Sequence, residues 1–143
     1  MITFELVTLD GVKFHESAHE VLLPTPEGQI GVFENHAPLV SAAAQGVIAV
    51  RRKPGDPDDF MEHYAVSGGV IEILDNHVRV LVDEATHSEE INEAEVQKAH
   101  QKAQELLKEA KDPVSLDKAR SLIDLQATRL KVAELKRHRK RRY

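Results

Sequence analysis

Residues 28–39 read GQIGVFENHAPL, a short apolar strand followed by a polar loop. Ile30 and Val32 recur at the two-residue period of a strand. The two glycines permit positive φ angles and the close approach of another chain, and Pro38 cannot donate to a sheet ladder. The pattern predicts a strand that leaves a sheet and presents a rigid polar tip. It contains no nucleophile beside a base and no phosphate cradle, so it is typical of a surface that another molecule touches.

The chain on either side of this stretch, from Met1 to about Asp83, also carries the signals of strands. Residues 2–8 alternate at a period of two, and short apolar runs follow one another with no helical pattern between them. Such a rhythm predicts an antiparallel β-sandwich of eight to ten short strands, followed by a helical region. The turn signals between the runs are Asp10-Gly11, Glu27-Gly28, residues 53–59, Gly68-Gly69 and Asp75-Asn76.

Beyond Glu84 the pattern changes to that of a helix. Asn92 followed by Glu95 resembles a capping box. Apolar side chains then recur every three or four residues, as in an amphipathic helix. Asp112-Pro113 ends this pattern, because proline disfavours the helical conformation of the residue before it. The apolar stripe of this first helix consists of Val96, Ala99, Ala103, Leu106 and Ala110.

A second helix is predicted to begin near Ser115, which can act as its N-cap. The short connection between the two helices predicts an antiparallel hairpin. Alanine buries little apolar surface, so we expect a marginally stable hairpin with spare apolar surface between Leu116 and Leu135. This mismatch indicates packing on another protein, a helix pair that can come apart, or docking of the spare surface on the sandwich. We assign residues 1–86 to the sandwich and residues 87–143 to the hairpin.

The composition restricts the class of protein. The chain has no cysteine, which excludes disulfides and thiolate metal sites. No run approaches the roughly 20 apolar residues that cross a bilayer, and the N-terminus lacks the pattern of a signal peptide. We therefore expect a soluble protein that meets a membrane only through a partner.

Basic residues are concentrated at the C-terminal end, while the rest of the chain is acidic. An acidic body argues against nucleic-acid binding. The tail fits a nucleic-acid or membrane patch, a solvated helix end, or a contact with an acidic protein surface, and composition does not decide among them. Its basic residues are Lys136, Arg137, Arg139, Lys140, Arg141 and Arg142.

No group of residues has the pattern of a catalytic or metal site. His15 and His19 would lie about 13 Å apart along a strand, too far to share a metal, and the other histidines are scattered. Ser67 precedes two glycines and a strand, which is not the geometry of a nucleophile elbow. The sequence predicts a protein that is not an enzyme by itself and binds no metal.

A series of motifs along the chain carries a family resemblance. In order they are Gly28-x-Ile30-Gly31-Val32, His36-Ala37-Pro38-Leu39, Gly46-Val47, Ser67-Gly68-Gly69-x-x-Glu72, Asn76-x-Val78-x-Val80-Leu81 and Arg129-Leu130-x-Val132-Ala133-Glu134-Leu135. With these motifs the chain resembles the epsilon subunit of the F-type ATP synthase, which is called delta in mitochondria. The resemblance covers essentially the whole chain.

The resemblance implies a noncatalytic part of the central stalk that requires no cofactor. In that family the sandwich binds the gamma subunit and rests on the ring of c subunits, which couples rotation to ATP synthesis. Here the ring contact falls on Gln29, Glu34, Asn35 and His36. The resemblance also places the protein at the cytoplasmic face of the bacterial cell membrane, as a peripheral part of the complex.

The resemblance implies that the hairpin is a regulator. In bacterial members it folds down on the sandwich, or extends along gamma and blocks ATP hydrolysis, and the basic tail then meets an acidic loop of the catalytic beta subunits. Residues 116–121 resemble the ATP-binding motif of some members except at the last position. Asp117 and Arg120 are therefore candidate ligands of a regulatory ATP. Their alternative roles are an acid near a helix N-terminus and a surface arginine.

An alternative function remains open at this stage. A free-standing β-sandwich adaptor whose helical hairpin docks an acidic partner protein has the same composition and the same order of elements. Co-purification with gamma and the c ring separates this adaptor from a stalk subunit.

Overall fold

The computed structural model describes the backbone of residues 1–142 and the side chains of residues 1–137. It contains ten strands, two long helices and two short 3₁₀ helices. The strands are β1 (Ile2–Thr8), β2 (Gly11–Ala18), β3 (Glu20–Thr25), β4 (Gly28–Val32), β5 (Leu39–Ala43), β6 (Gly46–Arg51), β7 (Glu62–Val66), β8 (Gly69–Leu74), β9 (His77–Val82) and β10 (Ala85–His87). The long helices are α1 (Glu93–Glu109) and α2 (Pro113–Arg142), and the 3₁₀ helices are Asp58–Phe60 and Ser88–Glu90.

The ten strands form two five-stranded sheets packed over one core. The first sheet has the order β2-β1-β9-β8-β5, and the second has the order β10-β7-β6-β3-β4. Neighbouring strands are antiparallel, except that β1 and β9 pair in parallel. The predicted β-sandwich followed by two helices is confirmed. The boundary that we predicted after residue 86 falls inside β10, which pairs with β7.

The core between the sheets is aliphatic, as the low aromatic content predicts. Every second residue of β1 is buried, including Ile2, Phe4 and Leu6, and β8 and β9 follow the same alternation. This is the pattern of strands with one face on the core. The ring of Phe14 packs against that of Phe4, with centroids 5.3 Å apart. The alternation fixes the register, because a slip by one residue would expose every core side chain.

The start of α1 agrees with the sequence pattern, and the start of α2 does not. Asn92 caps α1, since its Oδ1 accepts hydrogen bonds from the backbone N–H groups of Ala94 (3.1 Å) and Glu95 (3.4 Å). For α2 the prediction of Ser115 as N-cap is wrong. Asp112 is the cap: its Oδ1 accepts from the Ser115 N–H at 2.9 Å, and its Oδ2 accepts from the Ser115 hydroxyl at 2.8 Å. Pro113 fits directly after the cap because its missing N–H is not needed there.

The helices form an antiparallel hairpin that is folded against the sandwich. Arg137 near the end of α2 pairs with Glu93 at the start of α1 at 3.1 Å, which sets the helices in opposite directions. The C-terminal half of α2 packs on β6 and β7 of the second sheet, where Val132 is fully buried. Of the alternatives that the sequence left open, the structure has docking on the sandwich at Val132, while Leu122 of the same apolar surface stays exposed.

The far end of the hairpin is packed less tightly than its base. Leu106, which we placed in the apolar seam, is 45% exposed, and Leu122 is 42% exposed. Both line an open apolar cleft of about 350 Å³ together with Ala110 and Ala119. The small alanine side chains are too short to fill the space between the helices at this end. The predicted seam is therefore buried at Val96 and Ala103, whereas Leu106 faces α2 across the cleft and stays partly exposed.

Candidate functional site

The polar tip predicted from the sequence is a loop that crosses from one sheet to the other. This β4–β5 loop, residues 33–38, leaves the edge of the second sheet after β4 and enters the edge of the first sheet at β5. Glu34 and Asn35 are exposed, and Asn35 has a left-handed φ of 64°. Asparagine is among the few residues besides glycine that adopt this conformation readily. The loop is therefore a tight turn that presents polar groups at the surface.

Two contacts from the first sheet hold the β4–β5 loop. The backbone N–H of Asn35 donates to Oδ1 of Asn76, in the β8–β9 turn, at 2.6 Å. The N-terminal ammonium of Met1 lies 3.0 Å from Oε1 of Glu34. The loop is thus attached to the two strands that begin beside it, β1 and β9. Sequence reasoning identified the β8–β9 turn but missed this role, because the bond spans 41 positions and leaves no local pattern.

His36 is the third residue of the tip, and its ring is fixed by its neighbour. Its Nδ1 donates to the carbonyl oxygen of Ala37 at 2.6 Å, and the side chain is half-buried. With the proton on Nδ1, the Nε2 atom is free to accept a hydrogen bond. A few residues before it, the ring of Phe33 contacts that of His19, with centroids 5.7 Å apart.

Gln29 does not belong to this tip. It lies in β4 opposite Pro24, six positions before Asn35, a separation of up to about 20 Å along an extended chain. Its side chain lines a cleft of about 500 Å³ between the second sheet and the end of α2, together with Leu135 and Lys136. The structure therefore brings Glu34, Asn35 and His36 together and places Gln29 at the base of the hairpin.

An arginine anchors the wall of the same cleft. Arg51 donates to Oε2 of Glu20 at 2.8 Å and to Oδ1 of Asp58 at 2.5 Å. These bonds, first to Asp58 and then to Glu20, raise the pKa of the Arg51 guanidinium above its ordinary value. The charge of Arg51 is therefore already compensated, and the residue fixes the loop between β6 and β7. The sequence pattern gave no sign of this cluster.

The uncovered face of the first sheet is apolar in places. In one row of paired residues, Ala42, Val70, Leu81 and Val7 lie side by side across four strands. Val70 is 47% exposed and Leu81 is 45% exposed. Exposed apolar side chains that are contiguous mark an interaction surface more often than scattered ones.

The basic end of α2 is held by carboxylates near the start of the hairpin. Lys136 Nζ lies 3.1 Å from Oε2 of Glu89, and Arg137 pairs with Glu93 at 3.1 Å. About two helical turns before Lys136, Nη2 of Arg129 donates to Oε2 of Glu84 at 3.3 Å. We call the three ion pairs Glu84–Arg129, Glu89–Lys136 and Glu93–Arg137 the hairpin latch. The other predicted tail residues lie outside the side chains that the structure describes, namely Arg139, Lys140, Arg141 and Arg142.

The packing beneath the latch is imperfect. Oε1 of Gln126 and Nε of Arg129 are buried, and among the described residues neither atom has a hydrogen-bond partner. A buried polar atom without a partner costs stability, since it has lost its hydrogen bond to water. Both residues line a cleft with Val96 and Ala99 of α1, so the cost falls on the packing of the two helices against each other.

The two candidate ATP ligands lie elsewhere on the hairpin. Asp117 and Arg120 are exposed on the first turns of α2, three positions apart and so on neighbouring parts of its surface. ATP binding by these residues stays a prediction. Among the described residues no three histidine, aspartate or glutamate side chains are grouped to hold a metal ion. In the same part of the chain no helix has the length and apolarity that spanning a membrane requires.

Comparisons with known proteins agree with this architecture. The family described as ATP synthase, Delta/Epsilon chain, beta-sandwich domain matches residues 1–88. The ATP synthase epsilon chain of Chromobacterium violaceum is 32% identical over 130 residues, which cover 91% of each chain. The epsilon chain of Herpetosiphon aurantiacus is 31% identical over 139 residues, 96% of this chain and 98% of the relative.

Two solved structures share the fold. A chain of the Euglena gracilis mitochondrial ATP synthase, from a structure of OSCP, F1 and the c-ring, superposes with a TM-score of 0.77 at 23% identity. The alignment covers 93% of this chain and 81% of that one. A chain from the Tetrahymena thermophila central stalk and c-ring has a TM-score of 0.61 at 13% identity and covers 90% and 96%, respectively. The match over residues 1–88, together with relatives that align along nearly the whole length, establishes that the chain belongs to the epsilon-chain family of the ATP synthase.

Proposed function

We propose that this chain is a noncatalytic central-stalk subunit of an F-type ATP synthase. Its sandwich binds the gamma subunit and the ring of c subunits, and its helical hairpin inhibits ATP hydrolysis when it is released toward the catalytic beta subunits. The observation that carries the proposal is the β4–β5 loop, an exposed polar tip held on a rigid sandwich. A subunit that transmits rotation needs such a contact, because a mobile loop would lose binding energy to ordering.

The ring contact falls on Glu34, Asn35 and His36. Together they offer a carboxylate, an amide and an imidazole whose Nε2 accepts hydrogen bonds. These groups suit the polar loops of a membrane ring better than an apolar surface. Gln29 belongs to this proposal less well, since it lies in β4 and lines the cleft between the second sheet and the end of α2.

The gamma subunit binds the uncovered face of the first sheet. Val70, Leu81 and their row form an apolar strip that the hairpin leaves free, because α2 packs on the second sheet. Burial of such a strip drives association of permanent subunits. The two contacts use different parts of the sandwich, so one rigid body joins gamma to the ring.

The hairpin is a two-state element. Each pair of the hairpin latch has at least one partner that is more than half exposed, and such pairs contribute about 0–1 kcal/mol each. A weakly held element of this kind can exchange between two arrangements. On release, Arg129, Lys136 and Arg137 become available to the acidic surface of a beta subunit.

Two further properties complete the proposal. ATP acts as a regulatory ligand through Asp117 and Arg120, with the carboxylate accepting from the ribose or adenine and the guanidinium binding phosphate. The protein is peripheral at the cytoplasmic face of the bacterial membrane and reaches the bilayer only through the complex.

Assembly with purified partners tests the proposal. The full chain is mixed with gamma and a detergent-solubilised c ring, and a gel-filtration experiment measures which components elute together. We expect a ternary complex with the wild-type chain, loss of the ring with His36→Ala combined with Glu34→Ala, and loss of gamma with Leu81→Glu. A chain that elutes alone under all conditions would instead be a free-standing adaptor.

A further inference from the structure

We propose that Asn76 is a positioning residue for the β4–β5 loop: its side-chain amide holds Asn35 in the conformation in which the loop binds the c ring. The inference rests on the proposed ring contact. It concerns a residue in a different turn, 41 positions away in the sequence, whose amide contacts the loop.

The first observation is a concentration of unusual backbone conformations. Three residues other than glycine have a positive φ among those described: Asn35 at 64°, Asp75 at 49° and Asn76 at 61°. All three meet at the end of the sandwich where the β4–β5 loop contacts the β8–β9 turn. Conformations of this kind persist where the surrounding structure determines them, and they cluster at functional surfaces.

The second observation is that Asn76 accepts two hydrogen bonds, one through its backbone and one through its side chain. Its backbone carbonyl accepts from the N–H of Thr3 in β1 at 2.8 Å, and its side-chain Oδ1 accepts from the N–H of Asn35 at 2.6 Å. The backbone bond fixes Asn76 to the sheet, so the amide projects from a rigid support. The Asn35 N–H, which belongs to no strand, gains a fixed partner in place of exchanging water.

The chemistry at this position demands asparagine or a close substitute. The turn needs a residue that tolerates a positive φ, which favours glycine, asparagine and aspartate. The loop also needs a hydrogen-bond acceptor on a short side chain at position 76, which excludes glycine. Only asparagine and aspartate meet both requirements.

The contact between Met1 and Glu34 reinforces the loop in a distinguishable way. The side chains of Met1 and Glu34 are 46% and 58% exposed, so the pair lies at the surface, is weak and is screened by salt. The bond between Asn35 and Asn76 has no formal charge and does not weaken with ionic strength in this manner. High salt therefore removes the first contact and leaves the second.

Three variants of the full chain isolate the role of the amide. Asn76→Gly keeps the turn and removes the acceptor, Asn76→Asp keeps an acceptor, and Asp75→Gly is a matched glycine substitution in the same turn that leaves the amide in place. Hydrogen exchange of the Asn35 N–H is measured on the isolated chain in 0.5 M salt (roughly three times physiological ionic strength). We expect exchange to be about threefold to tenfold faster in Asn76→Gly alone.

Binding of the same variants to the c ring with gamma measures the functional consequence. We expect Asn76→Gly to weaken binding about threefold to tenfold, Asn76→Asp to restore it and Asp75→Gly to leave it unchanged. A merely structural role for the turn predicts equal effects of the two glycine substitutions, and that result would overturn the proposal. Unchanged Asn35 exchange in Asn76→Gly would overturn it as well.

His36→Ala separates this inference from the proposed function. If His36→Ala weakens ring binding and Asn76→Gly does not, the positioning role of Asn76 is wrong and the ring contact stands. If His36→Ala has no effect, the ring contact itself is wrong, and the positioning of the loop for that contact is refuted with it.

Discussion

The two sheets meet over a continuous core with Leu23 and Val80 at its centre, whereas the two helices meet over a seam of small residues such as Ala103 and Ala119. The sandwich holds its shape by burying apolar surface, which contributes roughly 25 cal/mol per Å². The hairpin adds exposed ion pairs and an N-cap, each of which contributes about 1 kcal/mol or less. One chain thus joins a tightly packed sandwich to a helical hairpin that is packed less tightly.

This difference has a consequence for dynamics. Local openings of a protein range from nearly free to the full cost of unfolding, and segments with few buried contacts open first. At the outer end of the hairpin Leu106 and Leu122 remain largely exposed around an open cleft. We therefore expect the outer end of the hairpin to open at a small fraction of the free energy that unfolds the sandwich.

The largest expected effect comes from truncating the same residue type in the two regions. Leu23 is fully buried in the sandwich, so Leu23→Ala removes packing and leaves a cavity, at about 2–5 kcal/mol of unfolding free energy. Leu106→Ala, at a site that is 45% exposed, should change it by less than about 0.5 kcal/mol. Urea denaturation followed by circular dichroism measures both values. Equal losses in the two variants would show that the hairpin is packed as firmly as the sandwich.

The sandwich was predictable because its signals are local. Alternation along β1 marks the buried face, and turn residues mark the strand ends, so fold class follows from short stretches of chain. The parallel pairing of β1 with β9 was not predictable. The two strands have the same alternating pattern, and this pattern does not identify the strand with which each one pairs.

The position of the candidate site was predictable from the sequence, but the contacts that hold its loop were not. The polar residues 34–36 predict an exposed tip. The hydrogen bond from Asn35 to Asn76 joins two turns that are far apart in the sequence, so no local pattern predicts it. At the hairpin, Ser115 and Asp112 are both good caps by residue type, and the choice between them depends on where the backbone enters the helix. Local propensity gives several candidates in such cases, and tertiary geometry selects one.

A smaller effect is expected at the cap of α2. Asp112→Ala removes the acceptor of two bonds from Ser115 and should speed amide exchange at the start of α2 about threefold to tenfold, while leaving the sandwich unchanged. Hydrogen exchange of the amides in the first turns of α2 measures the loss, with Asp124→Ala, at an exposed aspartate farther along the same helix, as the matched control. Equal exchange in the two variants would refute the capping role.

The same cap predicts a pH dependence. The bonds from the Ser115 backbone and hydroxyl lower the pKa of the Asp112 carboxyl in the folded hairpin. A lowered pKa means that this stabilisation is present above the ordinary pKa of an aspartate and is lost as the pH falls through the folded-state value. Acid should therefore loosen the start of α2 in the wild type more than in Asp112→Ala.

The smallest expected effect concerns the hairpin latch and is the one closest to regulation. Glu84→Gln with Glu89→Gln weakens two of the three pairs with Arg129 and Lys136 while changing the volume little. Since exposed pairs contribute about 0–1 kcal/mol each, the equilibrium should shift toward the released hairpin by roughly twofold to tenfold at low salt, and by less at high salt. The proposed function assigns inhibition to the released form in the assembled complex, so on that proposal the rate of ATP hydrolysis should fall. Deleting residues 136–143 should raise the rate, because it removes cations that the inhibitory contact requires.

Glu105→Gln, at an exposed glutamate on α1, is the charge-matched control for the double variant. If the double variant matches this control in hydrolysis rate and in its salt dependence, the ion pairs do not restrain the hairpin, and its folded-down position depends on Val132 and the buried surface around it.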